Sequence, residues 1–478
     1  MERMWSALLH MRHPLMTLWF FALASSVSTA ALPASLSATL AHGKRLLKQS
    51  PWDAIAFLEV ECDAGAFVGD DAARARIMNE LADVQRFAKE FRAARRWRRR
   101  ALKLQMQELR FALERRSPRS SEAALELALT QSSLAADMYF GGQPSRAIKT
   151  LQTALRQPGL SSVAAAVLTR AASAAHECDG DAVLALLKFE EASKAVAESG
   201  MPRAPSDAVQ LMALLRRVVR VAKPPAHVAA SMAARGDALA AELLRDGPWE
   251  RRDQLPKHFV PGLSAAGPWP RLDEDFPQLG PLVALLEVPR AVAALRAEYT
   301  ALRRDGHMHR EWECIHDPSR GAWSRFELAG AWHREESTDA EGCSALTPAA
   351  CGILRELRAL DVVPIFRAGF SAVAAAAWIT PHFGVSNAQL KIHLGLIVPK
   401  RGRGGLNADL DCAHFTVGNA TRTWREGRAL LFDDSYRHEV SNDCDEERVV
   451  FQVVIGHPKL RERLGSSFGV QHVFDHEL

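Results

Sequence analysis

Two histidines and one arginine near the end of the chain could do chemistry together. His382 and His438 each lie where a turn passes into a predicted strand, and Arg448 begins the next strand. Non-haem Fe(II) oxygenases hold iron with two histidines and one carboxylate, which leaves positions for a cosubstrate and oxygen. A dicarboxylic cosubstrate such as 2-oxoglutarate needs a cation at its far end, and an arginine fork can bind that carboxylate. One interpretation is therefore an iron oxygenase.

The carboxylate of such a site is missing from the sequence. A facial triad places Asp or Glu two residues after the first histidine, and Gly384 stands there. Lone histidines are often structural, so spacing alone leaves two structural histidines as the alternative. Alternation along the last strand turns Arg448 inward, where a cation is costly without an anion. The predicted inward row is Arg448, Val450, Gln452 and Val454, and the outward row is Val449, Phe451, Val453 and Ile455.

Length and composition indicate an ordinary globular protein of several folding units. The chain has 478 residues, of which 48% are hydrophobic and 24% are charged. A length of about 150 residues per domain then gives two or three units. The net charge of +4 excludes a strongly basic nucleic-acid binder, and seven cysteines are too few for a disulfide scaffold. We expect no nucleic-acid partner.

Both ends of the chain have sequence patterns that predict targeting signals. Residues 1–43 are predicted to be a signal peptide or a signal-anchor, because Arg3 and Arg12 precede an apolar run and a small-residue segment. An amphipathic first helix or a transit peptide is the alternative. The chain ends in Asp475-His476-Glu477-Leu478, which is related to endoplasmic-reticulum retrieval signals. These features predict the endoplasmic reticulum lumen or membrane, with membrane contact only through an N-terminal anchor.

The chain changes character along its length. Residues 51–245 are predicted to be helical, with two helix pairs that resemble tetratricopeptide repeats and break at Gly141-Gly142 and Gly180-Asp181. A plain helical bundle is the alternative. Residues 246–280 are rich in proline and are predicted to be a linker and domain entry. Short strands dominate from Ile365 onward, and residues 461–478 form a tail.

The C-terminal block resembles the aspartyl/asparaginyl β-hydroxylases, whose first motif reads His-x-Gly and in which two histidines alone hold the iron. The resemblance covers Lys257 to Leu460. It is carried by Pro381-His382-Phe383-Gly384, His393-Leu394-Gly395-Leu396, Trp424-Arg425-Glu426-Gly427, Phe432-Asp433-Asp434-Ser435, His438-Glu439-Val440 and His457-Pro458. It implies a multidomain α + β protein, in which tetratricopeptide-like helices precede a double-stranded β-helix (jelly-roll) dioxygenase domain over residues 257–460.

The resemblance also implies residue roles. His382 and His438 match the metal ligands, and Asp434 matches a carboxylate that hydrogen-bonds an iron-bound water. Residues of the 2-oxoglutarate site are matched by Arg448, Ser371, His393, Trp323 and Lys391. Gln389 and Lys391 replace two arginines that hold an acidic substrate, although Lys391 still supplies one positive charge. Cys343 and Cys351 match a disulfide-linked pair.

The implied activity is that of an Fe(II)- and 2-oxoglutarate-dependent dioxygenase. Its substrates would be oxygen, 2-oxoglutarate and a target protein, such as an epidermal-growth-factor-like domain, hydroxylated at the β-carbon of Asp or Asn. Two alternatives stay open: a related hydroxylase of a lipid or small molecule, and a catalytically silent helical-repeat scaffold.

Overall fold

The structure is a computed structural model. It describes residues 34–49, 51–63, 67, 70–88, 90–115, 117, 120–199, 205–256, 258–263, 266–311, 314–315, 321–328, 346–400 and 411–460. The chain divides into two compact units, with the boundary between Ala229 and Ala230. The first unit is helical and the second contains antiparallel sheets, as the change of sequence pattern predicts. The boundaries predicted for the finer domains stay predictions.

Helices account for the regular structure described in the first unit. They are α1 (Ala34–Gln49), α2 (Pro51–Asp63), α3 (Asp71–Phe87), α4 (Phe91–Glu114), α5 (Ser120–Tyr139), α6 (Pro144–Ala154), α7 (Ser162–Asp179), α8 (Ala182–Glu198) and α9 (Pro205–Ala222), followed by α10 (Ala226–Asp246) across the boundary. Both predicted helix breaks occur. Gly142 and Gly180 have positive φ angles, and the Asp181 carboxylate caps α8 by accepting from the Leu184 amide.

The described part of the second unit contains two antiparallel sheets. The larger sheet has the order β1-β2-β3-β10-β5-β8 and the smaller has β4-β9-β6-β7. The strands are β1 (His309–Arg310), β2 (Trp323–Glu327), β3 (Ile365–Val373), β4 (Trp378–His382), β5 (Gln389–Ile397), β6 (Ala413–Val417), β7 (Ala420–Arg422), β8 (Ala429–Phe432), β9 (His438–Asn442) and β10 (Arg448–Gly456). Among the described residues of this unit, the strands are accompanied by the α-helices α11 (Gly280–Leu286), α12 (Pro289–Arg304) and α13 (Pro348–Ala359).

The two faces of β10 enter two different cores, as its alternation predicts. Val449, Phe451, Val453 and Ile455 pack with apolar side chains of α11, α12 and α13. Val450 belongs to a second core, which is rich in aromatic side chains and includes Trp269, Phe415, Trp424 and Phe432. Trp269 lies in the predicted linker, so this proline-rich segment also contributes to the core. The larger sheet therefore separates a helix-packed face from an aromatic face.

A disulfide lies beside the aromatic core. Cys412 precedes β6 and is bonded to Cys444, which follows β9. The sequence patterns predict no partner for either of these cysteines. Lys400 and Asp411 form an isolated antiparallel bridge next to the disulfide. The bridge joins the two residues that flank the segment 401–410, and the disulfide fixes the chain that follows it to the end of β9.

Several predictions fall on residues that the structure does not describe. These are residues 1–33 of the N-terminal targeting segment and the tail at 461–478. Residues 34–43 begin α1, where Leu36 is buried with Ala54 and Leu58. Within the described ranges no single helix is long and apolar enough to cross a membrane. Pro277–Leu286 and Pro289–Arg304 satisfy those criteria only as a pair bent by 59°.

Candidate active site

His382 and His438 are cross-strand neighbours. His382 ends β4 and His438 begins β9, and the two residues pair directly after an irregularity in register that follows Ile379. Their ring centroids are 4.1 Å apart and their planes are inclined by 56°. The pairing of β4 with β9 thus brings together two side chains that are far apart in sequence.

Each imidazole is oriented by its own strand. Nδ1 of His382 lies 2.7 Å from the carbonyl oxygen of Thr380, and Nδ1 of His438 lies 2.8 Å from that of Tyr436. A carbonyl oxygen only accepts, so Nδ1 must carry the hydrogen and each Nε2 keeps a lone pair. Burial lowers the pKa of His382 to about 4 and that of His438 well below its ordinary value. Both rings are therefore neutral at pH 7, the form that binds a metal.

A buried carboxylate adjoins the histidine pair. Asp434 is fully buried, and its backbone oxygen accepts from the Gly384 amide at 2.7 Å. Its Oδ2 accepts from Lys391 Nζ at 2.8 Å and from Gln389 Nε2 at 3.5 Å. Asp434 Oδ1 is also buried and has no hydrogen-bond partner among the described residues. The structure thus joins Asp434, Lys391 and Gln389 in one cluster, beside the glycine that follows the first histidine.

Arg448 is a buried cation without an acidic partner in the part of the chain that the structure describes. The residue is 1% exposed, and Nε and Nη1 make no hydrogen bond there. Its guanidinium lies 4.3 Å from the ring centroid of Trp424. Burial lowers the pKa of Arg448 to about 9, which still leaves it charged at pH 7. Two buried donors on a cation form a binding position for an anion, because leaving them unpaired is costly.

The other predicted cosubstrate residues lie on the same inner face of the larger sheet. Trp323 on β2 and Arg448 on β10 both pair with Val373, so the three residues form one cross-strand row. Trp323 Nε1 donates to Ser371 Oγ at 3.0 Å. Ser371 in turn pairs with Val450, two residues after Arg448. The sheet therefore brings Trp323, Ser371 and Arg448 together.

His393 forms part of an aromatic wall. Its ring stacks on Phe415, which stacks on Trp424 with a centroid separation of 5.2 Å. His393 Nε2 lies 3.2 Å from Gln452 Oε1, and burial lowers the His393 pKa well below its ordinary value. Nδ1 of His393 has no partner within the described ranges. The wall leaves a neutral, polar ring edge beside the buried arginine.

Three residues of this site have no role predicted from the sequence. Gln452 contacts His393, while Trp424 and Phe415 form the aromatic stack. Gln452 belongs to the inward row that begins with Arg448, so the alternation could have identified it. Phe415 lies in a segment without a motif, and only the structure reveals it. Cys351 is disulfide-bonded, but Cys343 lies outside the described residues, so that pairing stays a prediction.

The residues present fit a two-histidine metal site and a dicarboxylate. Two neutral imidazoles with oriented Nε2 atoms supply the metal ligands, and the unpaired donors of Arg448 supply an anchor for a carboxylate. Among the described side chains, no group of three or more His, Cys, Asp and Glu residues is arranged to hold a metal. Any metal at the histidine pair would keep open positions for other ligands.

Comparison with known proteins places this site in a recognisable domain. Residues 290–458 match the family model described as aspartyl/asparaginyl beta-hydroxylase. The mouse aspartyl/asparaginyl beta-hydroxylase is 33% identical over 141 residues, which are 30% of this chain and 17% of that protein. The ornithine lipid ester-linked acyl 2-hydroxylase of Rhizobium tropici is 40% identical over 84 residues, which are 18% of this chain and 27% of that protein.

This chain thus spans about a sixth of the length of the mouse protein and about a quarter of the length of the Rhizobium tropici protein. A crystal structure of a Pseudomonas putida prolyl-4-hydroxylase is 14% identical, with a TM-score of 0.23 over 36% of this chain and 89% of that one, too low a similarity to support conclusions. Over residues 290–458, this protein is similar to the aspartyl/asparaginyl β-hydroxylases, and the family resemblance that its motifs indicate is confirmed.

Proposed function

We propose that this protein is an Fe(II)- and 2-oxoglutarate-dependent dioxygenase that hydroxylates the β-carbon of Asp or Asn in a target protein. The observation that carries the proposal is the buried guanidinium of Arg448, whose Nε and Nη1 have no partner among the described residues. A dicarboxylate cosubstrate would supply the missing anion. The similarity of residues 290–458 to a hydroxylase family supports the same chemistry.

The histidines would hold the metal and prepare the reaction. His382 and His438 are neutral and keep their Nε2 lone pairs for Fe(II), because their Nδ1 hydrogens are committed to backbone carbonyls. Bound iron would supply oxygen activation coupled to 2-oxoglutarate decarboxylation. Fixing the imidazoles before binding lowers the entropy that ligation costs. Asp434 would accept a hydrogen bond in this region through its unsatisfied Oδ1.

The cosubstrate would lie against the inner face of the larger sheet. Arg448 would bind its distal carboxylate with two donors, and the Ser371 hydroxyl, held by Trp323, would complete that end. His393 and Trp424 would cover the carbon chain and keep water away. A dry pocket strengthens the attraction between the guanidinium and the carboxylate.

The finer architecture and the location are part of the proposal. We propose that the two sheets form a double-stranded β-helix and that the N-terminal helix pairs are tetratricopeptide-like and bind the target protein. We also propose the endoplasmic reticulum as the compartment, since an oxidising lumen would maintain the Cys412–Cys444 bridge. Epidermal-growth-factor-like domains are the target class that the resemblance implies.

A second candidate is hydroxylation of a lipid. The Rhizobium tropici relative is named for an ornithine lipid, and its identity to this chain is 40% over 84 residues. Both candidates share the histidine pair and Arg448, so they differ only in the target.

The test begins with anaerobic titration of Fe(II) and 2-oxoglutarate into the full chain. Oxygen is then admitted with either epidermal-growth-factor-like peptides or ornithine lipid. Succinate formation and mass spectrometry measure turnover and the site of hydroxylation. The His438→Ala variant should form no succinate, while His414→Ala, which alters a histidine on β6 outside the pair, should keep activity. If neither 2-oxoglutarate binding nor succinate is detected, the protein is a non-catalytic scaffold.

A further inference from the structure

The lysine that could attract an acidic target is already paired. Lys391 Nζ lies 2.8 Å from Asp434 Oδ2, and both side chains are largely buried, at 17% and 1% exposure. At this separation the two charges compensate each other before any substrate arrives. The positive charge that the sequence leaves available for a substrate carboxylate is thus already used within the protein.

The same cluster contains two buried acceptors without donors. Asp434 Oδ1 and Gln389 Oε1 have no hydrogen-bond partner among the residues that the structure describes. Both residues are at most 1% exposed. Buried polar atoms nearly always find a partner, so two unsatisfied acceptors on touching side chains indicate a missing donor.

The orientation of the Gln389 amide follows from its neighbour. A carboxylate only accepts hydrogen bonds, so the group that faces Asp434 Oδ2 must be the Nε2 donor of Gln389. Rotating the amide would place Oε1 against the carboxylate, which is repulsive. Gln389 Oε1 is therefore held as an acceptor, and the cluster offers two acceptors next to the histidine pair.

We infer that the Gln389–Asp434–Lys391 cluster selects a target side chain that donates hydrogen bonds, the primary amide of Asn, over the carboxylate of Asp. A primary amide has two N–H donors, which match two unsatisfied acceptors. The carboxylate of an Asp target would instead place further acceptors beside Asp434 and Gln389. The one cation of the cluster, Lys391, is already neutralised by Asp434. This inference deepens the proposed function and rests on it.

The experiment measures binding without turnover. Full-length protein is loaded with Mn(II), in place of Fe(II), and with 2-oxoglutarate. Ligand-detected NMR then follows titration with two blocked amino acids, N-acetyl-asparagine methylamide and N-acetyl-aspartate methylamide. We expect the asparagine probe to bind at least about tenfold tighter, which corresponds to one net hydrogen bond of about 1.4 kcal/mol. Equal affinities, tighter binding of the aspartate probe, or binding of neither probe would overturn the inference.

A matched pair of variants links the preference to the cluster. Gln389→Met keeps the size of the side chain and removes the acceptor, so the ratio of affinities should fall several-fold. Gln278→Met, on an exposed glutamine of the same unit, should leave the ratio unchanged. A ratio that survives in a folded Gln389→Met variant would also overturn the inference. Succinate formation by the iron-loaded enzyme tests the proposed function separately: succinate without an asparagine preference refutes only the inference, whereas lack of succinate refutes the proposed function.

Discussion

The carboxylate of Asp434 occupies the place that a side chain at position 384 would need. A Cβ atom on Gly384 would lie 2.4 Å from Asp434 Oδ2, 2.5 Å from its Cγ and 2.6 Å from its backbone oxygen. Such distances are far below van der Waals contact, and one of the atoms belongs to the backbone. The glycine that replaces the expected carboxylate is thus required by a carboxylate that comes from the turn between β8 and β9.

Gly384→Ala is predicted to destabilise the C-terminal unit. The methyl group would push Asp434 and its backbone away from the histidine pair, an overpacking that typically costs about 1–3 kcal/mol. Urea denaturation measures the change. Gly352→Ala is the control, because a Cβ on this helical glycine would meet only the flexible end of Arg355 at 4.0 Å, and alanine should raise stability by about 0.5–1 kcal/mol. Gly384→Asp should be worse than Gly384→Ala, so adding the missing carboxylate should not create a facial triad.

Replacing either histidine of the pair should abolish metal binding and leave the fold intact. His382→Ala or His438→Ala removes one of two protein ligands, so anaerobic Fe(II) affinity should fall at least about a hundredfold. Circular dichroism should stay close to that of the unaltered protein. Unchanged Fe(II) binding by His438→Ala would place the metal elsewhere.

Arg448 is predicted to lower the stability of the ligand-free protein and to be required for binding 2-oxoglutarate. Arg448→Met removes a buried cation that lacks an acidic partner among the described residues, so the protein without ligand should gain about 1–2 kcal/mol. The affinity for 2-oxoglutarate should become undetectable. Arg448→Lys keeps a charge but loses the fork, which should cost about 1.5–3 kcal/mol, or ten- to a hundredfold in affinity. A destabilised Arg448→Met variant, or an unaltered titration with Arg448→Lys, would contradict this role.

The raised pKa of the buried Asp433 should make the stability of the folded protein depend on pH. Burial, together with the neighbouring Asp434 charge, raises its pKa to about 8, although hydrogen bonds from Ser435 oppose the rise. The folded protein then holds a proton that the unfolded chain releases near its ordinary pKa of 3.8. Stability should therefore fall as pH rises, by up to about 1.4 kcal/mol per unit, until the pH passes 8.

The window from pH 7.5 to 8.5 isolates this effect, because histidines of the unfolded chain titrate near pH 6.5 and are almost entirely neutral in that window, as the buried histidines of the folded protein are. Asp433→Asn should flatten the slope in urea denaturation. Asp445→Asn, on an exposed carboxylate, should not. A slope that is the same in all three proteins would mean that Asp433 is ionised in the fold.

The sequence predicted those features that depend only on neighbouring residues in the chain, such as strand alternation and helix breaks. The alternation of β10 separates Arg448 and Val450 from Val449 and Phe451, and a period of two requires only the strand itself. The breaks at Gly142 and Gly180 follow from glycine at positive φ. Motif resemblance also brought His382 and His438 together as a pair.

Relations between distant side chains could not be read from the sequence. The salt bridge of Lys391 with Asp434 depends on the register between β5 and β8, where Lys391 lies opposite Phe432. The assignment of Lys391 to the cosubstrate or substrate site rests on its position in a motif and stays a prediction; its ion pair with Asp434 is visible only in the structure. Cys412 and Cys444 likewise meet only because β6 and β9 are neighbours.

The side chains of β10 alternate between two hydrophobic cores, and this limits which changes of sequence length the domain tolerates. Inserting or deleting one residue within β10 would exchange its two rows and expel Arg448 from the aromatic core while placing Val449 there. We expect length variation to be better tolerated between Lys400 and Asp411, because these two residues are bridged to each other and the adjoining Cys412 is held by its disulfide with Cys444. Engineering the protein to accept other targets should therefore combine point substitutions on the inner face of the larger sheet with insertions at residues 401–410. The length of β10 should stay unchanged.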